Sequence, residues 1–277
     1  MTTQAELARM APPETANEPL FTDPDLAAFA EYLQTYSAAE GWFAIESAAI
    51  WDSLLAFQER RNWGGHLLEV GVYKGKSAAL MAKRAKSSEH VWLIDRFLRR
   101  SDVQRTLAEV IEPADPRLHL ENFDSFQLQR HPGLVDQFGK FRFLHIDGEH
   151  SAAAVQEDLA MAHAYGSREC LVSVDDILSW TYPQLTESLF RYLREHPDHF
   201  SLVLIGFNKA YLARPAYAHE YLKYCREDLI GRLERIGIDA QLSKSSYPAE
   251  LNAFGIGPRH DGQAYRGLDH DNSIILY

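Results

Sequence analysis

The sequence has few cysteines, a deficit of basic residues and no long apolar run. Cys170 and Cys225 are the only cysteines, which excludes a disulfide framework and a cysteine-rich zinc site and favours a reducing compartment. The 28 Lys and Arg residues stand against 39 acidic residues. This imbalance argues against general nucleic-acid binding, because phosphate contacts come mainly from basic side chains. No stretch of roughly 18 apolar residues occurs, and the N-terminal residues lack the apolar core of a signal peptide. We predict a cytoplasmic protein that binds neither nucleic acid nor membranes.

The sequence is rich enough in apolar residues to form a large core. Of its 277 residues, 46% are hydrophobic, which is typical of a globular enzyme rather than a disordered chain. We expect one large domain with extensions at both ends. The predicted divisions are a flexible leader at 1–23, N-terminal helices at 24–63, a central domain at 64–236, and a tail at 237–277.

Short apolar segments alternate with helical patterns through the central domain. Strands are predicted at 66–70, 90–95, 117–120, 141–146 and 170–174, and helices at 76–85, 102–111, 151–165, 184–195 and 218–236. This alternation indicates an α/β fold with a doubly wound, mostly parallel sheet and helices on both faces. Two apolar runs around Asn208-Lys209 predict a terminal hairpin, which adds an antiparallel strand and brings the sheet to seven strands.

A glycine-containing loop follows the first predicted strand. The segment LLEVGVYKGKSA contains Glu69, Gly71 and Gly75, and glycines at the end of a strand allow a ligand to approach the backbone. Its spacing fits neither the pyrophosphate-binding glycine pattern nor a P-loop. Asp95 ends the second strand, where an acidic side chain commonly accepts hydrogen bonds from ribose. These features together favour an adenosyl ligand, whereas the loop alone fits a simple tight turn equally well.

Acidic residues follow the fourth and fifth predicted strands. Asp147 ends the fourth strand with His150 three residues later, and Asp175 and Asp176 end the fifth. Adjacent parallel strands end side by side, so the three carboxylates should converge and require neutralisation. All-oxygen ligands favour Mg²⁺, Mn²⁺ or Ca²⁺, and a neutral His150 could act as a base. The alternatives are a helix cap at His150 or Ser151 and turn-forming roles for the aspartates.

These segments, together with LIDRF, FLHIDGEHSAAAVQEDL and VSVDD, resemble the class I S-adenosylmethionine-dependent methyltransferases. The similarity is greatest to the metal-dependent sugar O-methyltransferases of the macrolide and aminocoumarin antibiotic type and covers roughly residues 64–215. The resemblance implies a Rossmann-like sheet, S-adenosylmethionine as cofactor, and Mg²⁺ or Mn²⁺ at the acidic rim.

The resemblance also implies roles for individual residues. The methionine end of the cofactor would lie near Glu69, Gly71 and Ser77, with Tyr73 and Gly75 in the same loop, and Asp95 would hold the ribose. Asp124 and Ser125 would lie near the adenine. The metal ligands would be Asp147, which also borders the cofactor, together with Asp175 and Asp176. His150 would be the catalytic base.

The acceptor is expected to be a hydroxylated small molecule, with a sugar favoured over a phenol or catechol. A noncatalytic adenosyl-binding protein is a further alternative, against which the intact acidic rim argues. Several aromatic residues could form an acceptor platform, although core packing explains each of them equally well: Tyr73, Trp180, Tyr182, Phe207, Tyr211 and Tyr217. In the tail, His260, Asp261, His270 and Asp271 fit a flexible polar segment better than a second metal site. The tail could also act as a lid, and a homo-oligomer is expected.

Overall fold

The computed structural model describes residues 24–130, 139–245, 251–259 and 274–276. The predicted leader at 1–23 and the four tail residues considered as a second metal site lie outside the described residues. No helix in the described ranges is long and apolar enough to span a membrane.

One twisted sheet organises the chain, with its strands in the order β10-β8-β9-β6-β7-β5-β4-β1-β2-β3. The strands are β1 (His66–Val70), β2 (Val91–Ile94), β3 (Leu118–Glu121), β4 (Phe141–Ile146), β5 (Gly166–Val174), β6 (Ser201–Gly206), β7 (Lys209–Ala213), β8 (Ala240–Ser245), β9 (Phe254–Pro258) and β10 (Ile274–Leu276). The first five strands are parallel to one another, and β7 runs antiparallel to both β5 and β6. The predicted fold class and terminal hairpin are therefore confirmed.

Helices connect these strands across both faces of the sheet. They are α1 (Pro24–Ala38), α2 (Ile45–Arg60), α3 (Lys76–Arg84), α4 (Arg100–Leu107), α5 (Phe126–Arg130), α6 (Ala152–Tyr165), α7 (Pro183–Glu195), α8 (Pro215–Tyr224) and α9 (Ile230–Arg235). A π-helical turn, Cys225–Leu229, joins the last two, so the predicted helix at 218–236 is interrupted by wider turns. Ser151 caps α6 by accepting a hydrogen bond from the Ala154 N–H at 3.2 Å.

Alternating side chains of the strands divide the apolar core into two layers. On one face, Leu67 and Phe143 pack with helices α1, α2 and α3. On the other face, Leu68 and Leu144 pack with α6 and α7. Trp51 of α2 is fully buried, with its ring 4.8 Å from Phe143 and 4.4 Å from His145. The N-terminal helix α2 thus forms part of the sheet's own core.

The predicted count of seven strands is wrong, because the described residues form ten. The additional strands β8, β9 and β10 all come from the segment at 237–277, whose Gly, Tyr and polar content gave no alternating pattern. Leu242 and Ile256 are buried within these strands. In addition, β9 pairs in parallel with β6. A crossover pairing between strands 50 residues apart, Leu204 with Phe254, leaves no local turn signal in the sequence.

Candidate functional site

A cavity of about 410 Å³ opens at the carboxyl ends of the central parallel strands. The chain order reverses between β1 and β4, and open α/β sheets bind ligands at such a switch point. Many of the predicted cofactor residues line this cavity: Gly71, Tyr73, Asp95, Asp124, Ser125 and Asp147. Ser77 lines a smaller adjoining cavity together with Asp175. Glu69 and Gly75 line neither of the two.

The glycine loop passes very close to the end of β4. Gly71 has a φ of 83°, and a Cβ at this position would lie 1.8 Å from the Asp147 carbonyl oxygen. Only glycine fits such an approach. Asp95 braces the same loop, since its carboxylate accepts hydrogen bonds from the N–H groups of Val72 at 2.9 Å and Phe97 at 2.7 Å. The predicted ribose-binding residue therefore also fixes the backbone beside the cavity.

Glu69 lies beneath the cavity in a buried chain of polar groups. Its Oε1 accepts a hydrogen bond from the Ser77 hydroxyl at 2.5 Å and lies 2.8 Å from His145 Nδ1. Both Glu69 and His145 are buried. Burial and Lys209 act to lower the pKa of His145, but the hydrogen-bonded carboxylates of Asp175 and Glu69 raise it above its usual value. Glu69 thus positions Ser77 and His145, and only Ser77 and His145 border a cavity.

The acidic rim divides into two groups that share Asp147. His145, Asp147 and Asp175 offer ligand atoms within 4.8 Å of one another, and so do Asp147, His150 and Asp176. The predicted carboxylates thus converge on one rim, with Asp147 between the other two.

The β6–β7 hairpin supplies a partner to each of the two adjacent aspartates. Asn208 donates a hydrogen bond from Nδ2 to Asp176 Oδ1 at 2.6 Å, and Lys209 forms an ion pair with Asp175. Phe207 and Asn208 have φ angles of 46° and 67°, the left-handed conformations of a type I′ turn. This turn directs two consecutive side chains at two consecutive acids.

The two groups differ in charge. Although burial acts in the opposite direction, Lys209 and His145 hold the pKa of Asp175 well below its usual range. Burial and the nearby Asp175 raise the pKa of Asp147 to about 6. Lys209 is only 2% exposed, so Asp175 already has a buried positive partner within the chain. Asp147 and Asp176 lie on the more open side of the rim.

His150 lies between the carboxylates of the open group. Its Nε2 is 3.1 Å from Asp176 Oδ2 and 3.9 Å from Asp147 Oδ1, without the alignment of a hydrogen bond. The carboxylates of Asp147 and Asp176 raise the pKa of His150 to about 10. Tyr182 stacks on the imidazole, with ring centroids 4.1 Å apart. His150 therefore keeps its proton while both carboxylates are charged, and neutralising them would free Nε2 to accept one.

Comparison with known proteins agrees with this arrangement. Residues 68–177, which span the glycine loop and the acidic rim, match the family described as a methyltransferase domain. Residues 68–177 form a methyltransferase domain. The predicted methyltransferase class of enzyme is therefore confirmed. No protein of curated function matches the sequence significantly.

Solved structures support the fold of the methyltransferase domain. The O-methyltransferase NovP superposes with a TM-score of 0.55 at 15% identity, covering 69% of this chain and 99% of NovP. MycE, a methyltransferase from the mycinamycin biosynthetic pathway, was solved in complex with Mg, SAH and mycinamycin VI. It superposes with a TM-score of 0.51 at 17% identity, covering 70% of this chain and 55% of MycE. At such identities these structures establish a shared fold.

The aromatic residues predicted as a platform around the methyltransferase site fall into two sets. Tyr73 lines the cavity, Tyr182 stacks on His150, and Trp180 is 95% exposed. In contrast, Tyr211 is fully buried and Tyr217 packs against Trp63, with ring centroids 5.6 Å apart. For these last two, the alternative of core packing is the one that the structure supports.

The methyltransferase site also contains residues that the sequence did not single out for function. Lys209 and Asn208 were recognised only as a hairpin turn, and His145 and Asp158 only as parts of a strand and a helix. Trp42 lines the cavity and packs against Tyr73, with ring centroids 5.0 Å apart. The alternation of β4 could have placed His145 on the same side as Asp147, but Lys209 and Trp42 come from elements whose position depends on the tertiary fold.

Proposed function

We propose that the chain is an S-adenosylmethionine-dependent O-methyltransferase that uses a divalent cation, Mg²⁺ or Mn²⁺, to methylate a hydroxyl group of a sugar-like small molecule. The observation that carries this proposal is the group of Asp147, His150 and Asp176 at the edge of the cavity in a methyltransferase domain. Paired carboxylates beside a histidine suit the binding and deprotonation of a hydroxyl group.

The residues at the rim fit a hard divalent cation. Asp147 and Asp176 would hold it through carboxylate oxygens, the ligands preferred by Mg²⁺ and Mn²⁺. The predicted third ligand, Asp175, would have to exchange its ion pair with Lys209 for the cation. When bound, the cation lowers the pKa of a coordinated hydroxyl and S-adenosylmethionine supplies an electrophilic methyl group.

The residues of the chain would orient the reactants and receive the proton. His150 Nε2 would accept the hydroxyl proton as the oxygen bonds to the methyl carbon and the carbon–sulfur bond breaks, leaving its electron pair on sulfur. The ring of Tyr182 holds the imidazole in place. Asp95 keeps the glycine loop in a fixed position, so that the donor and acceptor sites keep their separation.

An open aromatic wall supports a ring-shaped acceptor. Trp42 is 85% exposed and stands beside Tyr73 at the cavity. Aromatic faces stack on the apolar faces of sugars and also on phenols. We favour a sugar because two neighbouring hydroxyl oxygens could approach the cation together. A catechol offers the same pair of oxygens and is the alternative outcome of the acceptor assay.

Calorimetry tests the cofactor and the cation separately. S-adenosylhomocysteine should bind to the purified chain, and Mg²⁺ titrated afterwards should bind once per chain. Asp147→Asn and Asp176→Asn should each weaken Mg²⁺ binding by more than about 100-fold, beyond the range of outer-shell changes. Glu149→Gln is the matched control, since it removes a half-exposed carboxylate of the same loop and should leave Mg²⁺ affinity unchanged. Equal Mg²⁺ affinity in all four proteins would refute the cation site.

An assay with radiolabelled S-adenosylmethionine tests the acceptor class. Glycosides with vicinal hydroxyls should accept the methyl group in a reaction that excess chelator stops. Faster methylation of catechols than of any glycoside would overturn the sugar assignment while keeping the methyltransferase mechanism. Activity that persists unchanged in chelator would refute the role of the cation.

A further inference from the structure

A buried carboxyl group outside the acidic rim also faces the large cavity. Asp158 lies on α6, one turn after Ala154, and both residues line the cavity. The side chain is almost fully buried, with 2% of the residue exposed. Asp158 Oδ2 lies 3.4 Å from the position that a Cβ on Gly148 would occupy. Gly148 therefore leaves open the space between Asp158 and the end of β4.

One oxygen of this carboxyl group lacks a partner within the described residues. Asp158 Oδ1 is buried and makes no hydrogen bond. Burial raises the pKa of Asp158 to about 7, the Ser125 hydroxyl acts in the opposite direction, and the charges of Asp124, Glu157 and Glu149 raise it further. A buried acceptor without a donor costs about 1–3 kcal/mol. Such a group at a ligand cavity therefore calls for a hydrogen-bond donor from the ligand.

The position of Asp158 indicates which part of a ligand it meets. It neighbours Ser125, which follows β3, and it is distant in the strand order from the hairpin that holds Asp175 and Asp176. An adenosyl group that places its ribose near Asp95 at the end of β2 would extend its base toward Asp124 and Ser125. Phe123 and Phe126 line the same part of the cavity, which suits a flat aromatic base.

We propose that Asp158 recognises the 6-amino group of the cofactor's adenine through Oδ1 and so makes the site selective for adenine over other purines. This inference rests on the adenosyl cofactor of the proposed function. The carboxylate can only accept, and the 6-amino group is the donor on the edge of adenine. A purine with a carbonyl oxygen at this position would place two acceptors against each other in a buried site.

Binding of two purine analogues tests the inference without any methyl transfer. S-inosylhomocysteine differs from S-adenosylhomocysteine by a carbonyl oxygen in place of the 6-amino group. By calorimetry at pH 8, the wild-type chain should bind the adenosyl compound at least about 30-fold more tightly, since a site built around a hydrogen bond rejects an analogue that leaves its buried group unpaired. Equal affinity for the two compounds would overturn the role of Asp158 and leave the proposed cofactor intact. Failure of S-adenosylhomocysteine to bind at all would instead refute the cofactor.

Asp158→Asn gives the second arm of the test. The amide can turn either its oxygen or its nitrogen toward the base, so the preference for the adenosyl compound should fall below about threefold. Glu157→Gln, at the preceding exposed position of the same helix, is the matched control and should keep the wild-type preference. If Asp158→Asn fails to fold by circular dichroism, the wild-type ratio still decides the question. A folded Asp158→Asn variant with the full 30-fold preference would contradict the proposal.

Discussion

At the scale of single residues, the buried ammonium group of Lys209 determines how the acidic rim is divided. Its ion pair with Asp175 and its contact with His145, at 3.4 Å between Nζ and Nε2, place a positive charge at the closed end of the rim. Asp147 and Asp176 then remain as the carboxylates most accessible to a cation. The protein itself thus supplies part of the neutralisation that three converging carboxylates require.

Replacing Lys209 with Met should destabilise the protein strongly. The substitution keeps the length of the side chain but leaves Asp175 buried without its cation, and breaking such a pair costs about 3–5 kcal/mol. Urea unfolding of the two proteins would measure the loss. The double variant with Asp175→Asn should recover a substantial part of it. A single variant as stable as wild type would show that the ion pair contributes nothing.

His150 should contribute to turnover and little to cofactor binding. His150→Gln removes the proton acceptor at Nε2, and general-base catalysis contributes roughly 10²–10⁴-fold. We expect kcat to fall by about 10³-fold, while S-adenosylhomocysteine binds within about threefold of wild type. Tyr182→Phe keeps the stacked ring and should change kcat by less than about fivefold. Near-normal turnover of His150→Gln would remove the histidine from the mechanism.

Individual residues were predictable from the sequence where local position decides the role. The residues that follow β1, β2 and β4, such as Gly71, Asp95 and Asp147, reach the cavity because strand ends converge in a parallel sheet. Glu69 is the instructive exception. It lies within β1, and the alternation of side chains turns it into the core, where it holds Ser77. Lys209 was unpredictable as a site residue, since its contact depends on where the hairpin docks.

At the scale of elements, the glycine loop and β4 form the closest backbone contact at the site. Gly71→Ala would bring a methyl carbon to 1.8 Å from the Asp147 carbonyl oxygen and would also strain a φ of 83°. We expect a loss of about 3 kcal/mol in the free energy of unfolding and no measurable cofactor binding.

A second glycine provides the control for this prediction. Gly231 lies in α9, and nothing approaches its would-be Cβ within 4 Å. Gly231→Ala should stabilise the protein by about 0.5–1 kcal/mol through its higher helix propensity. Chemical denaturation of both variants gives the comparison. If Gly71→Ala were tolerated as well as Gly231→Ala, the close approach of the loop to β4 would be refuted.

Elements were predictable from the sequence where hydrophobic periodicity is strong and connections are short. The strands β1 and β4 were predicted with the bounds that the structure has, and the hairpin between β6 and β7 was located at its turn. The strands β8 and β9 were missed because their partners lie far away in the sequence and their glycine and polar residues do not alternate. Their burial against β6 depends on the assembled sheet rather than on local preference.

At the scale of the whole molecule, several histidines lie where protonation opposes folding. Burial, Arg214 and the stacked His199 lower the pKa of His163 to about 4. Burial also lowers the pKa of His66, His119 and His199. A depressed histidine pKa means that the unfolded chain takes up protons first as the pH falls. The stability that these groups contribute is present above about pH 6.5 and is lost as the pH falls toward 4.

His163→Gln tests this dependence. The amide retains an acceptor for Arg214 but does not titrate, so the loss of stability on acidification from pH 7 to pH 4.5 should be smaller than in wild type. Thermal unfolding at a series of pH values would measure it. The comparison between the two proteins cancels the contribution of carboxyl groups that titrate in the same range. Parallel stability profiles would show that His163 does not sense pH.

The parallel pairing of β6 with β9 has a consequence for how the chain is made. The ribosome completes the hairpin of β6 and β7 well before β9, because Leu204 and its partner Phe254 are separated by 50 residues. At synthesis rates of about 5–20 residues per second, the outer edge of β6 stays unpaired for about 3–10 s. An apolar strand with an open edge is a template for pairing with other chains. Aggregation during synthesis should therefore be most sensitive to changes that slow translation between these two strands.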